Sequence, residues 1–147
     1  MRVGIEYIIL GGAVAQNSEV HHHQLRVYYE DTDMAGIVYY ANYLKYIERA
    51  RSEWVRTLGI DQLRLREEEG VVFAVRRVEA DYLASAKFDD VLNVQTQMIS
   101  SSAARITLEQ TVWRADKQLF TAEVILVAIN REGQPTRLPD ELRRNVH

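Results

Sequence analysis

Tyr28-Tyr29-Glu30-Asp31-Thr32-Asp33-Met34-Ala35-Gly36-Ile37-Val38-Tyr39-Tyr40-Ala41-Asn42-Tyr43-Leu44-Lys45-Tyr46-Ile47-Glu48-Arg49-Ala50-Arg51 changes its hydrophobic period partway along, and that change decides the fold. At its start, Leu25-Arg26-Val27-Tyr28-Tyr29 alternates and predicts a strand. Glu30 to Gly36 is a polar loop. From Tyr40 the period becomes helical. Tyr40, Tyr43, Leu44, Ile47, Trp54, Val55 and Leu58 recur at three- and four-residue steps, while Lys45, Glu48, Arg49, Glu53 and Arg56 fill the other faces. Gly59 is a natural C-terminal stop, giving a helix of about 20 residues, ~30 Å long.

Beyond Gly59, residues 61–70 read as a charged connector ending in Glu67-Glu68-Glu69-Gly70. The period then switches to two. Val71–Tyr82, Val91–Ile99 and Arg105–Arg114 alternate over much of their length, and Leu119–Ile129 is apolar on both faces, as suits a central strand. Phe88-Asp89-Asp90, Ser100-Ser101-Ser102 and Ala115-Asp116-Lys117 are the turns between them. Strand, long helix and four strands in hairpin succession predict an α+β domain with a five-stranded antiparallel sheet around one helix. One helix leaves part of such a sheet uncovered, which favours a homodimer.

The domain is bounded at 24–140. Residues 1–23 read as a mobile leader or a start codon assigned too early, and 141–147 as a C-terminal tail. Ala13-Val14-Ala15 looks like a signal cleavage site, but Glu6 abuts the short apolar run Tyr7–Leu10, which is too brief for a signal peptide. His21–His23 read as a solvated lead-in rather than a metal site.

Composition narrows the chemistry. The chain has 147 residues, no Cys, four His and a net charge of −3. Zero Cys excludes a disulfide scaffold, a thiolate metal site and a cysteine nucleophile. Between Gln24 and Val146 there is no His, so chemistry in the body of the domain runs without a Ser-His-Asp triad or a His metal site. Mixed charges offer no basic block for nucleic acid, and no apolar run approaches the ~20 residues of a membrane span. Carboxylates, Tyr, Ser, Lys and backbone dipoles are the tools that remain.

Glu30, Asp31 and Asp33 place three acids within four positions ahead of the helix. Acids there complement the helix dipole and cap its N–H groups. A calcium loop would put Asp31, Asp33 and Gly36 at its first, third and sixth positions, but Ala35 and Asn42 stand where further ligands belong. A third reading is catalytic. The first N–H groups of the helix take an oxyanion, and a carboxylate just outside attacks the polarised carbon or activates water.

Val27–Asp33, Gly36-Ile37-Val38-Tyr39, Ala41-Asn42-Tyr43-Leu44 and Glu48-Arg49-Ala50-Arg51 resemble the signature of hotdog-fold acyl-CoA thioesterases of the 4-hydroxybenzoyl-CoA thioesterase family, above all its Tol-Pal-associated, YbgC-type branch. Phe88–Leu92 and Arg137-Leu138-Pro139 are further matches. The resemblance implies a curved antiparallel sheet around the helix and Asp33 as the catalytic carboxylate, acting as nucleophile or general base. It implies the Tyr40 backbone N–H as the polarising donor, and Gly36, Val38, Asn42 and Arg105 about the substrate. It implies an acyl-CoA or acyl-carrier-protein thioester as substrate, no cofactor or metal, homodimers that pair into tetramers with sites at the dimer interface, and a cytoplasmic location. The branch commonly has His where Tyr40 stands, which removes any side-chain role of that His. The Ser100–Arg105 turn is poor in the basic residues that hold the CoA nucleotide in the hydroxybenzoyl branch; Arg105 is left, with Lys87 or Arg76 as substitutes.

Glu48, on the helix, is the rival base, weighed against an ion pair with Arg49 or Arg51. Asn42 is expected either to orient Asp33 or to bond the loop. Asp89 and Asp90 are expected to set turn geometry. Two other functions use the same fold. One is binding of acyl chains or acyl carrier protein without turnover, linked to the cell envelope through Tol-Pal. The other is a dehydratase, disfavoured because it wants a His.

Overall fold

The helix is shorter than its periodicity predicts because the turn before it takes a tighter path. In the computed structural model, which describes residues 19–144, helix α1 runs Asn42–Thr57, 16 residues or about 24 Å. Asn42, Tyr43 and Leu44 donate three residues back, to the carbonyls of Tyr39, Tyr40 and Ala41. Tyr40 and Ala41 thus form a tight lead-in turn. At the other end Gly59 takes φ 83°, a left-handed conformation that ends the helix as its position predicts. The buried stripe of α1 is Tyr43, Tyr46, Ile47, Ala50, Trp54 and Val55. Relative to the expected stripe, Tyr46 and Ala50 turn inward while Tyr40 and Leu44 stay exposed.

Five strands form one antiparallel sheet: β1 (His21–Arg26), β2 (Val72–Tyr82), β3 (Val91–Ser101), β4 (Arg105–Arg114) and β5 (Lys117–Ile129), in the spatial order β1-β3-β4-β5-β2. This is the strand–helix–four-strand architecture expected of a hotdog fold. The predicted alternation of β3 and β4 holds: Leu92, Val94, Thr96 and Met98, with Ile106, Leu108 and Val112, all face the core. Register shifts at Val75/Arg77, Met98/Ser100 and Val112/Trp113 mark bulges that bend strands and increase their twist. Helix α1 lies against β1, β3 and β4, and its Tyr43 ring stacks on Phe120 of β5 at 5.1 Å.

Two boundaries move. β1 opens at His21, so His21–His23, expected in the lead-in, are sheet residues; they pair with Thr96, Gln95 and Val94. At its other end β1 stops at Arg26, because its partner β3 begins at Val91, and Tyr29–Asp31 turn away in a short 3-10 helix. Residues 1–18 of the leader expected at 1–23 lie outside the described residues. Beyond Pro139, helix α2 (Asp140–Arg144) buries Leu142 beside Leu138 in the core, so the tail expected from residue 141 is in part a packed helix. The connector 61–70 is likewise ordered by caps. Asp61 Oδ1 accepts from the N–H groups of Leu63 and Arg64 at 3.1 Å, and Gly70 closes the segment with φ 70°.

One polar chain crosses the core. Gln110, fully buried, donates from Nε2 to Thr96 Oγ1 (2.8 Å) and to the Ile47 carbonyl (2.9 Å), and its Oε1 accepts from Arg51 Nη1 (3.0 Å). The chain ties α1 to the middle of the sheet, and burial lowers the pKa of the Arg51 guanidinium. Among the described residues no helix is long and apolar enough to cross a membrane.

Candidate active site

The polar loop before α1 is a small hairpin. Asp33 N–H donates to the Ile37 carbonyl (3.0 Å), Gly36 N–H donates to the Asp33 carbonyl (2.9 Å), and Thr32 bridges to Val38. Gly36 sits at φ 80°, and the space where a Cβ would stand is open. Its requirement is therefore conformational, not a close backbone approach. The returning arm is pinned to the segment after β2. Val38 N–H donates to the Ala86 carbonyl (2.9 Å), and Ile37 bridges to Lys87.

Asp33 is exposed on this hairpin. Its Oδ1 accepts from Ala35 N–H at 2.9 Å, which orients the carboxylate, while Oδ2 has no partner among the described residues. Tyr40 follows the returning arm. Of the flanking N–H groups, that of Tyr39 donates to the Asp31 carbonyl and that of Asn42 to the Tyr39 carbonyl, both at 2.9 Å, while that of Ala41 has no acceptor among the described residues. The Tyr40 N–H has no acceptor among the described residues.

The acids do not cap α1. Its N-cap is Ala41, with no side-chain hydrogen bond, and its first turn carries no acid. Asp31 instead caps the 3-10 helix through Tyr28 N–H (2.9 Å). An uncapped helix end with a free N–H beside it is a place for a polarised carbonyl oxygen.

Aromatic rings surround this end of the helix. Tyr40 packs at 4.9 Å from Tyr39 and 6.1 Å from Tyr82, and Tyr82 continues to Phe120 at 5.0 Å. Burial raises the phenol pKa values of Tyr43, Tyr46 and Tyr82. For Tyr46 a hydrogen bond to Asp31 pushes the same way, while for Tyr43 the Ala86 N–H partly opposes the rise. These rings therefore stay neutral hydroxyls near pH 7 and serve as hydrogen-bonding groups, not bases.

Other expected residues fall in varied places. Val38 is buried, with its N–H in use, so it supports the hairpin from beneath. Asn42 Nδ2 donates to the Asp31 carbonyl (2.9 Å), a bond to the loop. Glu48 accepts from Ser52 Oγ (2.9 Å) in place of the expected ion pair, because Arg51 turns inward to Gln110. Arg105 opens β4, one strand length of about 33 Å from the Val91 end of β3. Within one protomer it is not brought to Asp33. Asp89, at φ 74°, pairs with Arg26, and Asp90 accepts from Lys87 N–H (2.8 Å) and Arg114 (2.9 Å), so both set turn geometry as expected. Tyr82 was not foreseen: its hydroxyl donates to the Tyr40 carbonyl at 3.0 Å. Its place at the end of an alternating run offered no local signal. No group of three or more metal-ligating side chains occurs among the described residues.

The sequence profile of the Thioesterase-like superfamily matches residues 27–146. The acyl-CoA thioesterase YbgC of Haemophilus influenzae is 40% identical over 124 residues, covering 84% of this chain and 91% of that protein. The acyl-CoA thioesterase YbgC of Helicobacter pylori is 44% identical, covering 78% and 90%. A probable thioesterase from Bartonella henselae superposes with a TM-score of 0.79 at 39% identity, over 82% of this chain and 100% of that one. With the hairpin signature, the five-stranded sheet and these likenesses in agreement, the chain belongs to the Thioesterase-like superfamily of hotdog-fold proteins.

Proposed function

We infer that this protein hydrolyses acyl-CoA thioesters to a free acid and CoA. The observation that carries the reading is the pairing of an uncapped helix end, with the Tyr40 N–H free, and a carboxylate on the same hairpin with one oxygen unengaged. The acyl carbonyl oxygen accepts from the Tyr40 N–H, where the helix dipole stabilises the negative charge that develops. Asp33 then acts in one of two ways. As general base it takes a proton from water while the water oxygen bonds the acyl carbon and the C–S bond breaks. As nucleophile it bonds the acyl carbon itself, expels the thiolate, and water cleaves the resulting anhydride. The CoA thiolate is a good leaving group, so the reading needs no cofactor and no metal. Relatives at 40% and 44% identity are named for this hydrolysis, which favours turnover over the binding-only alternative.

The active unit in this reading is a homodimer, with dimers pairing into tetramers. β2 is an edge strand of 11 residues that leaves Val75, Val78 and Tyr82 exposed, a surface suited to a second copy. Joining protomers there puts Tyr82, and with it the Tyr40 turn, at the interface. Gly36 and Arg105 are assigned to the substrate, Arg105 to the CoA nucleotide reached from another protomer. A cytoplasmic location accords with the substrate, because CoA thioesters are kept inside the cell. Release of free thiol from a panel of acetyl- to palmitoyl-CoA, 4-hydroxybenzoyl-CoA and acyl-carrier-protein thioesters tests the function. Asp33→Asn turning over as fast as the parent would refute the assignment.

A further inference from the structure

Asp31, the first acid of the Asp31-Thr32-Asp33 triplet, accepts four hydrogen bonds. Its Oδ2 takes Tyr28 N–H and the Tyr46 hydroxyl, and its carbonyl takes Tyr39 N–H and Asn42 Nδ2, each at 2.9 Å. Two of these donors belong to α1: Tyr46, with its ring almost wholly buried, and Asn42, the first helical residue. The other two flank the hairpin: Tyr28 precedes it and Tyr39 follows it. One residue therefore fixes the hairpin at both feet and ties it to the helix.

The consequence falls on the next peptide. Tyr39 N–H is held by Asp31, the Tyr39 carbonyl by Asn42 N–H, and the Tyr40 carbonyl by the Tyr82 hydroxyl. Three polar groups that flank the Tyr40 N–H are fixed, while that N–H and the Ala41 N–H beside it are left open. A donor aimed at a developing oxyanion gains from such fixation, because none of its orientation has to be found during the reaction.

We propose that Asp31 and Tyr46, with Tyr82 from β2, are positioning residues that aim the Tyr40 N–H and fix the hairpin that carries Asp33. The proposal rests on Asp33 and the Tyr40 N–H carrying the hydrolysis. The role of Asp31 in this proposal is to accept: its Oδ2 takes two donors, so an amide oxygen at that place does the same job.

The test is steady-state kinetics on one acyl-CoA that the parent turns over, with melting temperature and oligomeric state measured alongside. Tyr46→Phe keeps the ring and removes the hydroxyl; Asp31→Ala removes the side-chain acceptor and keeps the carbonyl; Asp31→Asn restores the side-chain acceptor. Positioning predicts that kcat falls about 10- to 100-fold in Tyr46→Phe and Asp31→Ala, with KM little changed, and that Asp31→Asn recovers most of the loss. A lowered melting temperature with parental kcat in Tyr46→Phe overturns the proposal, as does an Asp31→Asn variant as inactive as Asp31→Ala. Should the buried-site variants not fold, Tyr82→Phe decides, since its ring is partly exposed and keeps its packing: a lowered kcat supports the proposal and a parental kcat overturns it. Asp33→Asn run in parallel separates the two levels. If it is fully active, the underlying reading fails; if it is inactive while the positioning variants match the parent, this inference alone fails.

Discussion

The two ends of helix α1 are built on opposite principles. At the C-terminal end every device favours stability. Gly59 takes φ 83°, Leu58 and Gly59 N–H donate back to Val55 and Arg56 carbonyls, and Thr57 Oγ1 donates to the Trp54 carbonyl at 2.6 Å. At the N-terminal end the usual devices are missing: the N-cap is Ala41, no acid stands in the first turn, and the neighbouring Tyr40 N–H is open. A Ser, Thr, Asn or Asp cap is typically worth ~1 kcal/mol over Ala. The molecule forgoes that stabilisation where a substrate carbonyl would supply the missing acceptor, and supports the turn through Asp31, Asn42 and Tyr82 instead.

The sharpest way to break the open end is to remove its carboxylate. Asp33→Asn is expected to lower kcat on acyl-CoA by about 10²- to 10⁴-fold, measured as thiol release. Asp33 is exposed and Asn keeps the acceptor for Ala35 N–H, so the melting temperature should hardly move. A smaller effect should come from closing the same end. Ala41→Asp adds a negative charge at the helix N-terminus, which helps the helix dipole and opposes an oxyanion at the Tyr40 N–H. We expect a higher melting temperature and a kcat reduced about tenfold. If kcat does not fall, the oxyanion does not form there.

How much of this contrast was legible depended on the range of each interaction. The switch from helical to two-residue period located α1 and the strands, because periodicity is a property of neighbours in sequence. Gly59 was legible for the same reason. The hairpin signature drew attention to Asp33 and Tyr40. Bonds that cross the chain were not legible: Tyr82 reaches Tyr40 over 42 positions, and Ala86 N–H reaches the Tyr43 hydroxyl over 43. Arg51 shows a local rule overruled. Its spacing from Glu48 suggested a helix ion pair, but the buried Gln110 amide needed a donor and took it. β1 began later in the sequence reading than in the structure because His21–His23 lack an apolar alternation. Their pairing with Val94–Thr96, over 70 residues away, makes them a strand.

Breaking the closed end should separate stability from activity. Gly59→Ala puts a Cβ on a left-handed backbone with no contact to relieve it, so the expected cost is about 1 kcal/mol of stability. Thermal or urea unfolding measures it. Per folded molecule kcat should stay at the parental value, since the proposed chemistry lies at the other end. A fall in kcat matching that of Ala41→Asp would show that the two ends are not independent.

The smallest expected effect sits beside the C-terminal half of α1. His21 lies on β1 opposite Thr96, and its Nδ1 is buried with no hydrogen-bond partner. Burial lowers its pKa, His23 and His22 add to the lowering, and Glu53 of α1 opposes it. The unfolded chain binds the His21 proton near the ordinary value of about 6.5, whereas the folded chain resists it to lower pH. Protons therefore favour the unfolded state in the window between the two values. His21 contributes its full share of stability above about pH 6.5, and that share is lost as pH falls through the window toward the folded pKa. His21→Gln should flatten this part of the stability–pH curve, read as urea midpoints at closely spaced pH values, while the difference between the curves stays constant above pH 7. The pH profile of kcat should be the same in both proteins, because a group packed against the closed half of the helix has no path to the open end. A shifted kcat profile would join the two regions after all.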